Sequence, residues 1–390
     1  MTVPFNRPFI AGRELEYIHD AVNRKKLSGN GYYTQKCHQF FQEKFGFGKV
    51  LLTTSCTDAL EMAAILTKIG PGDEVIMPSF TFPSTANAFA LRGAKIIFAD
   101  SQKDHPNIEA NKIESLITEK TKVIVPVHYA GIACEMDKIM QLASKYKLFV
   151  VEDAAQAIDS YFKGIPLGKI GHFGAFSFHE TKNISSGEGG MLAVNAKKSF
   201  LRAEIIWEKG TNRSAFFRGE VNKYGWMDIG SSFLPAEMIA AFLYAQLEAL
   251  EEIQRRRIAI WNRYYETLKP LADLGLLSIP LIPSFATNNA HLFYIICRSF
   301  TERQSLIDFL KKNGVSAIFH YLPLHKSPFF RKKHDGRNLP NSERFSRCLL
   351  RLPLFADLEM ESITHIVDTI SRYFELSKAT LSETASYANI

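Results

Sequence analysis

A single lysine, Lys182, stands between a short apolar run and a glycine-rich turn in the segment FSFHETKNISSGEGG, residues 176–190. A lysine that is screened from water has a lowered pKa, and its neutral amine can act as a nucleophile. Ser177 precedes it by five residues, and the glycines at 187, 189 and 190 favour an open, tight turn. Considered alone, the segment fits a solvent-exposed lysine beside a loop better than a reactive amine.

An aspartate, Asp153, emerges from the apolar run LFVVEDAAQA, residues 148–157. An ionised carboxylate so close to a buried strand needs a cationic or hydrogen-bonding partner. Gln156 follows three residues later, which places both side chains on one side of a turn. A helix-capping aspartate is the alternative. A metal site is disfavoured because no second carboxylate or histidine lies at metal-ligand spacing.

A third polar cluster, Ser55 and Thr57 in TTSCTDAL, lies where a strand-like run gives way to a helical pattern. Ser55 and Asp58 have the spacing of a capping box. The start of a helix offers free N–H groups and partial positive charge, which suit a phosphate. An ordinary helix cap with nothing bound explains this stretch better when it is taken alone.

Together, the three clusters supply the groups that pyridoxal phosphate requires of a protein. These are a lysine that forms an imine, a carboxylate for the pyridinium nitrogen and a cup for the phosphate. Each cluster follows a different strand-like run, and ligands of open parallel sheets bind beyond the carboxyl ends of the strands. The sequence therefore predicts one site for this cofactor at that edge of a sheet.

Seven short apolar runs rich in Val, Ile and Phe indicate the strands of that sheet. They are KVLLTT, DEVIMPSF, AKIIFAD, KVIVPVHYA, LFVVEDAA, FGAFSFH and GMLAVN. Helical patterns alternate with several of them, which predicts an α/β fold with a mostly parallel seven-stranded sheet between helices. The last runs have no long helix between them, so part of the sheet is expected to be antiparallel.

The chain has 390 residues, 46% of them hydrophobic, which is enough for two domains. A long helical pattern at 235–271 is expected to bridge them. We predict a large cofactor-binding domain over residues 1–250 and a smaller C-terminal α+β domain over 251–376. Residues 377–390 are small and polar, which predicts a disordered tail.

Composition and charge argue against several classes of protein. No run of about 18 uncharged apolar residues exists, so no membrane span is expected. The first residues do not resemble a signal peptide, and the five cysteines lack zinc-site spacing, so we expect reduced thiols in a cytoplasmic protein. The net charge of +7 is spread along the chain except for a basic patch at 326–337. A solvated loop explains that patch first and an attraction for small anions second, and nucleic-acid binding is not expected.

Six motifs resemble those of a known family. They are MPSFTFPSTANA, RGAKIIFAD, VPVHYAG, VEDAAQA, FSFHETKNISSGEGG and FHYLPLH. With them the chain resembles the DegT-type sugar-nucleotide aminotransferases, which depend on pyridoxal phosphate and have fold type I. The resemblance extends from VPFNRPFIAGRELEYI to RLPLFADL, nearly the whole chain.

The resemblance implies roles for individual residues. Lys182 would bind the cofactor covalently, Asp153 would pair with the pyridinium nitrogen and Gln156 would lie near the ring hydroxyl. The phosphate would be surrounded by Ser55, Cys56, Thr57 and Ser177. Phe82 would stack on the ring, although a buried core phenylalanine is an equally good interpretation of that position.

Two positions depart from the family pattern. Cys56 replaces the usual glycine of the phosphate turn, which requires that its backbone avoid positive φ. Ser232 stands where the family usually has an asparagine that reaches the phosphate in the neighbouring subunit. The resemblance nevertheless implies a homodimer with active sites near the subunit interface.

Two further segments, EKGTNRSAFFRGEVNKYGW and VHYAGIACEMDKIM, resemble members that serve enterobacterial antigen synthesis. These members transfer the amino group of L-glutamate to C4 of dTDP-4-dehydro-6-deoxy-D-glucose and form the galacto product. Candidate contacts to the nucleotide-linked keto sugar are Lys209, Arg213, Arg218, His320, Tyr321 and His325, although the last three also suit packing between domains.

Other functions stay open on the sequence. Another nucleotide-linked keto sugar, with a gluco product or a 3-keto group, is one alternative. A sugar dehydratase is another, but the relatives of that type have histidine in place of Lys182. A regulatory protein that only binds the cofactor is the alternative outside enzymes.

Overall fold

The computed structural model describes the backbone from Thr2 to Tyr387 and the side chains as far as Leu376. Its strands are β1 (Lys49–Thr53), β2 (Glu74–Pro78), β3 (Lys95–Ala99), β4 (Thr121–Ile124), β5 (Phe149–Asp153), β6 (Tyr161–Phe162), β7 (Ile165–Pro166), β8 (Phe173–Ser177), β9 (Gly190–Val194), β10 (Phe293–Ile296), β11 (Ile318–Phe319) and β12 (Leu349–Leu352). Seven of them form one sheet in the order β1-β9-β8-β5-β4-β2-β3.

All seven apolar runs of the sequence contribute a strand to this sheet, which confirms the predicted fold class. β2, β3, β4, β5 and β8 pair in parallel, whereas β9 runs antiparallel to both of its neighbours, β1 and β8. The antiparallel pair β8 and β9 is formed by the last two apolar runs, for which the sequence predicted antiparallel pairing because no long helix lies between them. A parallel connection needs a long crossover, whereas an antiparallel strand can follow a loop.

Helices cover both faces of the sheet. They are α1 (Glu14–Asn23), α2 (Tyr32–Phe45), α3 (Cys56–Leu66), α4 (Pro83–Ala90), α5 (Met136–Tyr146), α6 (Phe200–Trp207), α7 (Arg213–Phe217), α8 (Glu237–Glu248), α9 (Leu250–Asp273), α10 (Phe300–Lys312), α11 (Pro340–Cys348) and α12 (Met360–Tyr387). One core joins the sheet to α1, α2, α5 and α8, and the other joins it to α3, α4 and α6. Successive residues of each strand face opposite cores, so both sides of a strand must be apolar.

The long helical pattern at 235–271 forms two helices rather than one. α8 ends at Glu248 and α9 begins at Leu250. The first turns of α9 contribute Leu250 and Ile253 to the core of the main sheet, and its later turns contribute Trp261 and Tyr264 to a separate core. The apolar stripe of α9 thus connects the two cores.

The separate core surrounds a small antiparallel sheet of order β10-β12-β11, with α10 and α12 packed on it. The N-terminal arm reaches this core, because Val3 is buried there and its N–H donates to the carbonyl of Gly314 at 2.8 Å. The division at residue 250 stays a prediction, although this arm packs with the second core.

The last helix, α12, continues through Tyr387, and the disordered tail over residues 377–390 stays a prediction. Residues 388–390 lie outside the described part of the chain. Among the residues that the structure describes, no helix is long and apolar enough to cross a membrane.

Candidate active site

The carboxyl ends of the parallel strands open into one cavity of about 670 Å³. Ten residues singled out in the sequence line it: Ser55, Cys56, Thr57, Phe82, Asp153, Gln156, Ser177, Lys182, His320 and Tyr321. The first eight come from the large sheet and its helices, and the last two follow β11 of the small sheet. The cavity therefore lies between the two sheets.

Lys182 follows β8 in a turn in which its N–H donates to the carbonyl of His179 at 2.8 Å. Burial lowers the pKa of Lys182, while the nearby groups of Cys56 and Asp153 act in the opposite direction. The adjacent Asn183 anchors the turn, because its Nδ2 donates to the carbonyl of Asn289 at 2.7 Å. The turn that carries Lys182 is thus held in place, and its amine is neutral at a lower pH than that of an exposed lysine.

Asp153 is buried at the end of β5 beside Lys182. Its Oδ2 accepts a hydrogen bond from Thr85 Oγ1 at 2.6 Å, and its Oδ1 accepts one from the N–H of Ala155 at 3.2 Å. Burial raises the pKa of Asp153, whereas these hydrogen bonds and the positive charge of Lys182 oppose the rise. The acid is therefore buried with donors on both oxygens and with further acceptor capacity.

Gln156 is held from both sides of its amide. Its Oε1 accepts from the N–H of Ala130 at 2.7 Å, and its Nε2 donates to the hydroxyl of Tyr321 at 3.1 Å. Asn289 Nδ2 also donates to the main-chain carbonyl of Gln156 at 2.9 Å. The amide is therefore fixed next to Asp153 and links the two sheets across the cavity.

The first turn of α3 lines the part of the cavity where the sequence predicts a phosphate site. Ser55 caps the helix and accepts from the N–H of Asp58 at 3.1 Å, and Thr57 Oγ1 donates to Ser84 at 2.8 Å. Cys56 is the first residue of the helix. Its backbone therefore avoids positive φ, as a residue with a side chain at this position requires. A Cβ added at Gly190, the first residue of β9, would lie 2.3 Å from the carbonyl carbon of Ser55. The glycine permits the helix start to lie directly against the sheet.

The aromatic and histidine candidates separate into two groups. Phe82 is 57% exposed at the cavity, which does not fit a core phenylalanine. His320 stacks on Tyr321 with ring centroids 3.7 Å apart, and both line the cavity. His325 is buried elsewhere and lies 2.7 Å from Ser79 Oγ, so it packs the small unit against the large one and is not a cavity residue.

Four other candidates do not line the cavity of their own chain. Arg218 forms ion pairs with Glu204 and Glu220, both at 2.7 Å. Lys209, Arg213 and Ser232 are exposed in the same region, between α6 and α8. Their expected contacts to a ligand are therefore not formed within one chain.

A family model described as the DegT/DnrJ/EryC1/StrS aminotransferase family matches residues 8–371 of the chain. The chain belongs to this family. The spore coat polysaccharide biosynthesis protein SpsC of Bacillus subtilis is 30% identical and covers 94% of this chain and 96% of that protein. An uncharacterized protein of Methanocaldococcus jannaschii, MJ1066, is 32% identical and covers 95% and 96%, respectively.

Solved aminotransferases share the fold of this DegT/DnrJ/EryC1/StrS aminotransferase. The putative sugar aminotransferase Spr1654 from Streptococcus pneumoniae, in its form with pyridoxal phosphate, has a TM-score of 0.88 and 26% identity and covers 96% of this chain and 99% of that one. Helicobacter pylori PseC, an aminotransferase involved in the biosynthesis of pseudoaminic acid, has a TM-score of 0.88 and 25% identity and covers 96% and 100%. The protein is a pyridoxal-phosphate-dependent sugar aminotransferase.

The residues of this aminotransferase fit its cofactor. The lysine amine and the buried carboxylate lie near each other, since the charge of each moves the pKa of the other. Asp153 can accept the N–H of a pyridinium ring, and the start of α3 can bind the phosphate through Ser55, Thr57 and backbone N–H groups. Phe82 provides an exposed aromatic face at the cavity for the ring.

Sequence reasoning missed three residues of the aminotransferase site. Thr85 lies within the motif FTFPST, but only the fold brings its hydroxyl to Asp153. His291, in the segment before β10, and Arg351, on β12, line the cavity from positions remote in sequence from Lys182. A lone arginine in a strand-like run, RLPLF, carries no local signal of such a role.

Proposed function

We propose that the protein transfers the amino group of L-glutamate to C4 of dTDP-4-dehydro-6-deoxy-D-glucose. The products are dTDP-4-amino-4,6-dideoxy-D-galactose and 2-oxoglutarate, and the amino sugar would serve a surface glycan. The observation that carries the amino-transfer part is the cavity that both the buried carboxylate of Asp153 and the screened amine of Lys182 line, close enough for each charge to shift the pKa of the other. The motifs near residues 127–140 and 208–226 support the C4 keto sugar.

Pyridoxal phosphate, when bound, withdraws electrons and makes the proton on the amine-bearing carbon of the donor acidic. Lys182 would move that proton, taking it from the donor carbon and delivering it to the cofactor carbon. Proton transfer requires contact within about 3 Å, so a single flexible amine beside the ring can serve both positions. Asp153 would keep the ring nitrogen protonated, and its burial keeps water from weakening that interaction.

We also propose that two copies of the chain complete the sites. Lys209, Arg213, Arg218 and Ser232 would then contact the ligand of the partner subunit rather than that of their own. The segment that follows α7 supports this arrangement, because it exposes Tyr224, Trp226, Met227 and Ile229. An exposed apolar cluster of this kind is typical of an interface between proteins.

The test is to incubate the holoenzyme with L-glutamate and a panel of nucleotide-linked 3-keto and 4-keto sugars. NMR of the product would identify the aminated carbon and its configuration. We expect turnover with the dTDP-linked 4-keto sugar and an axial amine at C4. A gluco product, or preference for a 3-keto sugar, would contradict the proposed substrate but not the aminotransferase reaction.

A further inference from the structure

Arg351 is an arginine on β12 that lines the active-site cavity. It is the only arginine among the described cavity-lining residues. β12 is the central strand of the small sheet, and Arg351 is paired in register with Tyr294 on β10 and with Ile318 on β11. A central strand is paired on both sides, so the position of this side chain is well determined by the fold.

The guanidinium of Arg351 lacks the partners that a buried arginine normally has. Its Nε is buried without a hydrogen-bond partner, and its Nη2 donates one long hydrogen bond, 3.5 Å, to the carbonyl of Phe319. No Asp or Glu side chain among the described residues forms an ion pair with it, and burial lowers its pKa. Leaving a buried cation without a partner is costly, so the arrangement indicates a site prepared for an anion.

The ring of one aromatic side chain, Phe5, lies against this cation. The Arg351 guanidinium lies over the ring of Phe5 at 4.6 Å, and Phe5 itself lines the cavity from the N-terminal arm. The positive charge of Arg351 also opposes ionisation of the neighbouring groups Lys182 and His320. The guanidinium is therefore oriented by an aromatic ring and lies close to the reacting amine.

We infer that Arg351 binds the α-carboxylate of the amino donor. A planar guanidinium can bind both oxygens of a carboxylate at once. The α-carboxylate is bonded directly to the reacting carbon, so it must lie next to Lys182. The diphosphate of a sugar nucleotide, in contrast, is separated from C4 by the sugar ring, and it would have to lie farther from the lysine. This inference rests on glutamate as the donor in the proposed function.

The first half-reaction tests the inference without any sugar. The holoenzyme is mixed with L-glutamate, and the change in absorbance of the lysine-bound cofactor gives the apparent Kd for glutamate. We expect R351Q to raise this Kd roughly 10- to 100-fold, and R351K to raise it less, because hydrogen bonds to a charged group are lost. The control R347Q removes the exposed Arg347 on α11 and should leave the Kd unchanged.

Two other ligands identify the group that Arg351 binds. L-Alanine has the α-carboxylate but no side-chain carboxylate, so R351Q should weaken its reaction by about the same factor as that of glutamate. An unchanged reaction of alanine would assign Arg351 to the side-chain carboxylate and overturn the inference. Binding of dTDP, measured by calorimetry, should be unchanged, and a weakened dTDP affinity with an unchanged glutamate Kd would also overturn it.

Failure of the proposed function gives a different result. If wild-type holoenzyme does not react with glutamate, the donor is wrong, whereas a reacting wild type with an equally reactive R351Q rejects only the role of Arg351. R351K keeps the charge and most of the volume of the side chain. If R351Q does not retain the cofactor, an R351K variant with the affinities of the wild type for glutamate and alanine would reject the inference.

Discussion

Lys182 and Asp153 are two ionisable side chains whose burial favours the neutral form of each, while their mutual attraction favours the charged forms. The balance gives an amine that loses its proton more easily than an exposed lysine does. The same balance leaves the carboxyl group of Asp153 with two hydrogen-bond donors, Thr85 Oγ1 and the N–H of Ala155, that favour its ionised form. At the scale of single residues, the site therefore pairs an acid whose pKa is raised with an amine whose pKa is lowered.

Replacing Lys182 by alanine should lower the rate of 2-oxoglutarate formation roughly 10²- to 10⁴-fold, because the group that moves the proton is lost. Stability should change little, since Lys182 makes no side-chain hydrogen bond that holds the core. A coupled assay for 2-oxoglutarate and a thermal unfolding curve measure the two effects. The control K197A removes an exposed lysine and should leave both unchanged. Near-normal turnover of K182A would reject the assignment.

Substituting Asp153 by asparagine should shift the pH dependence of covalent cofactor attachment to lower pH. The negative charge of Asp153 raises the pKa of Lys182, so its removal leaves burial less opposed and the amine neutral at a lower pH. The measurement is the midpoint of the rate–pH profile when apoprotein reacts with pyridoxal phosphate. A midpoint that moves to higher pH would contradict the electrostatic description.

Elements position these residues through close backbone contacts. The start of α3 lies against the first residue of β9, and only the absence of a side chain at Gly190 permits this contact. Gly190 is also the register partner of Thr53 on β1 and of Ser177 on β8. A single glycine therefore contacts three of the elements, β1, β8 and α3, that surround the proposed phosphate site.

The variant G190A should weaken cofactor binding about tenfold or more and destabilise the fold by roughly 1–3 kcal/mol, because the added methyl group overlaps the backbone of Ser55. Equilibrium dialysis of the cofactor and denaturant unfolding of the apoprotein measure the two effects. Gly70 provides the control, since a Cβ there meets no atom within 4 Å and its φ is not positive. Equal losses in G70A and G190A would argue against a role for the close contact.

The strands that local sequence patterns indicate were predicted correctly. The seven strands were predictable because both of their sides are apolar, and β5 and β8 end at the residues that enter the cavity. The break between α8 and α9 was not predictable, because the apolar pattern continues through Ala249 and both helix ends pack in the same core. The change of core within α9, between Ile253 and Ile260, was not predictable either. Local periodicity reports burial but not the identity of the partner surface.

At the scale of the whole molecule, some residues that were expected to contact a ligand lie outside the cavity of their own chain. Trp226 is 85% exposed in the segment that also carries Tyr224 and Met227. The candidates Arg213 and Ser232 lie on either side of that segment. These features together favour a dimer in which this segment reaches the neighbouring cavity.

Replacing Trp226 by aspartate should weaken self-association roughly tenfold or more, because a charge would enter the apolar interface. Sedimentation velocity over a concentration series measures this effect, and activity should fall with it on dilution. Leu274, 66% exposed at the end of α9, provides the control L274D, which should not alter association. A W226D protein that stays dimeric and active would place the interface elsewhere.

The amino-acid sequence by itself determined the sheet, the family and the residues that follow the strands. Each of these depends on local patterns: apolar runs, turn residues and motifs. Only the tertiary structure decided that Arg351 and His291 enter the cavity, that His325 does not, and that Arg218 pairs with Glu204. The physical reason is that these contacts join segments remote in sequence, so packing between the two sheets, and not local preference, sets the distances.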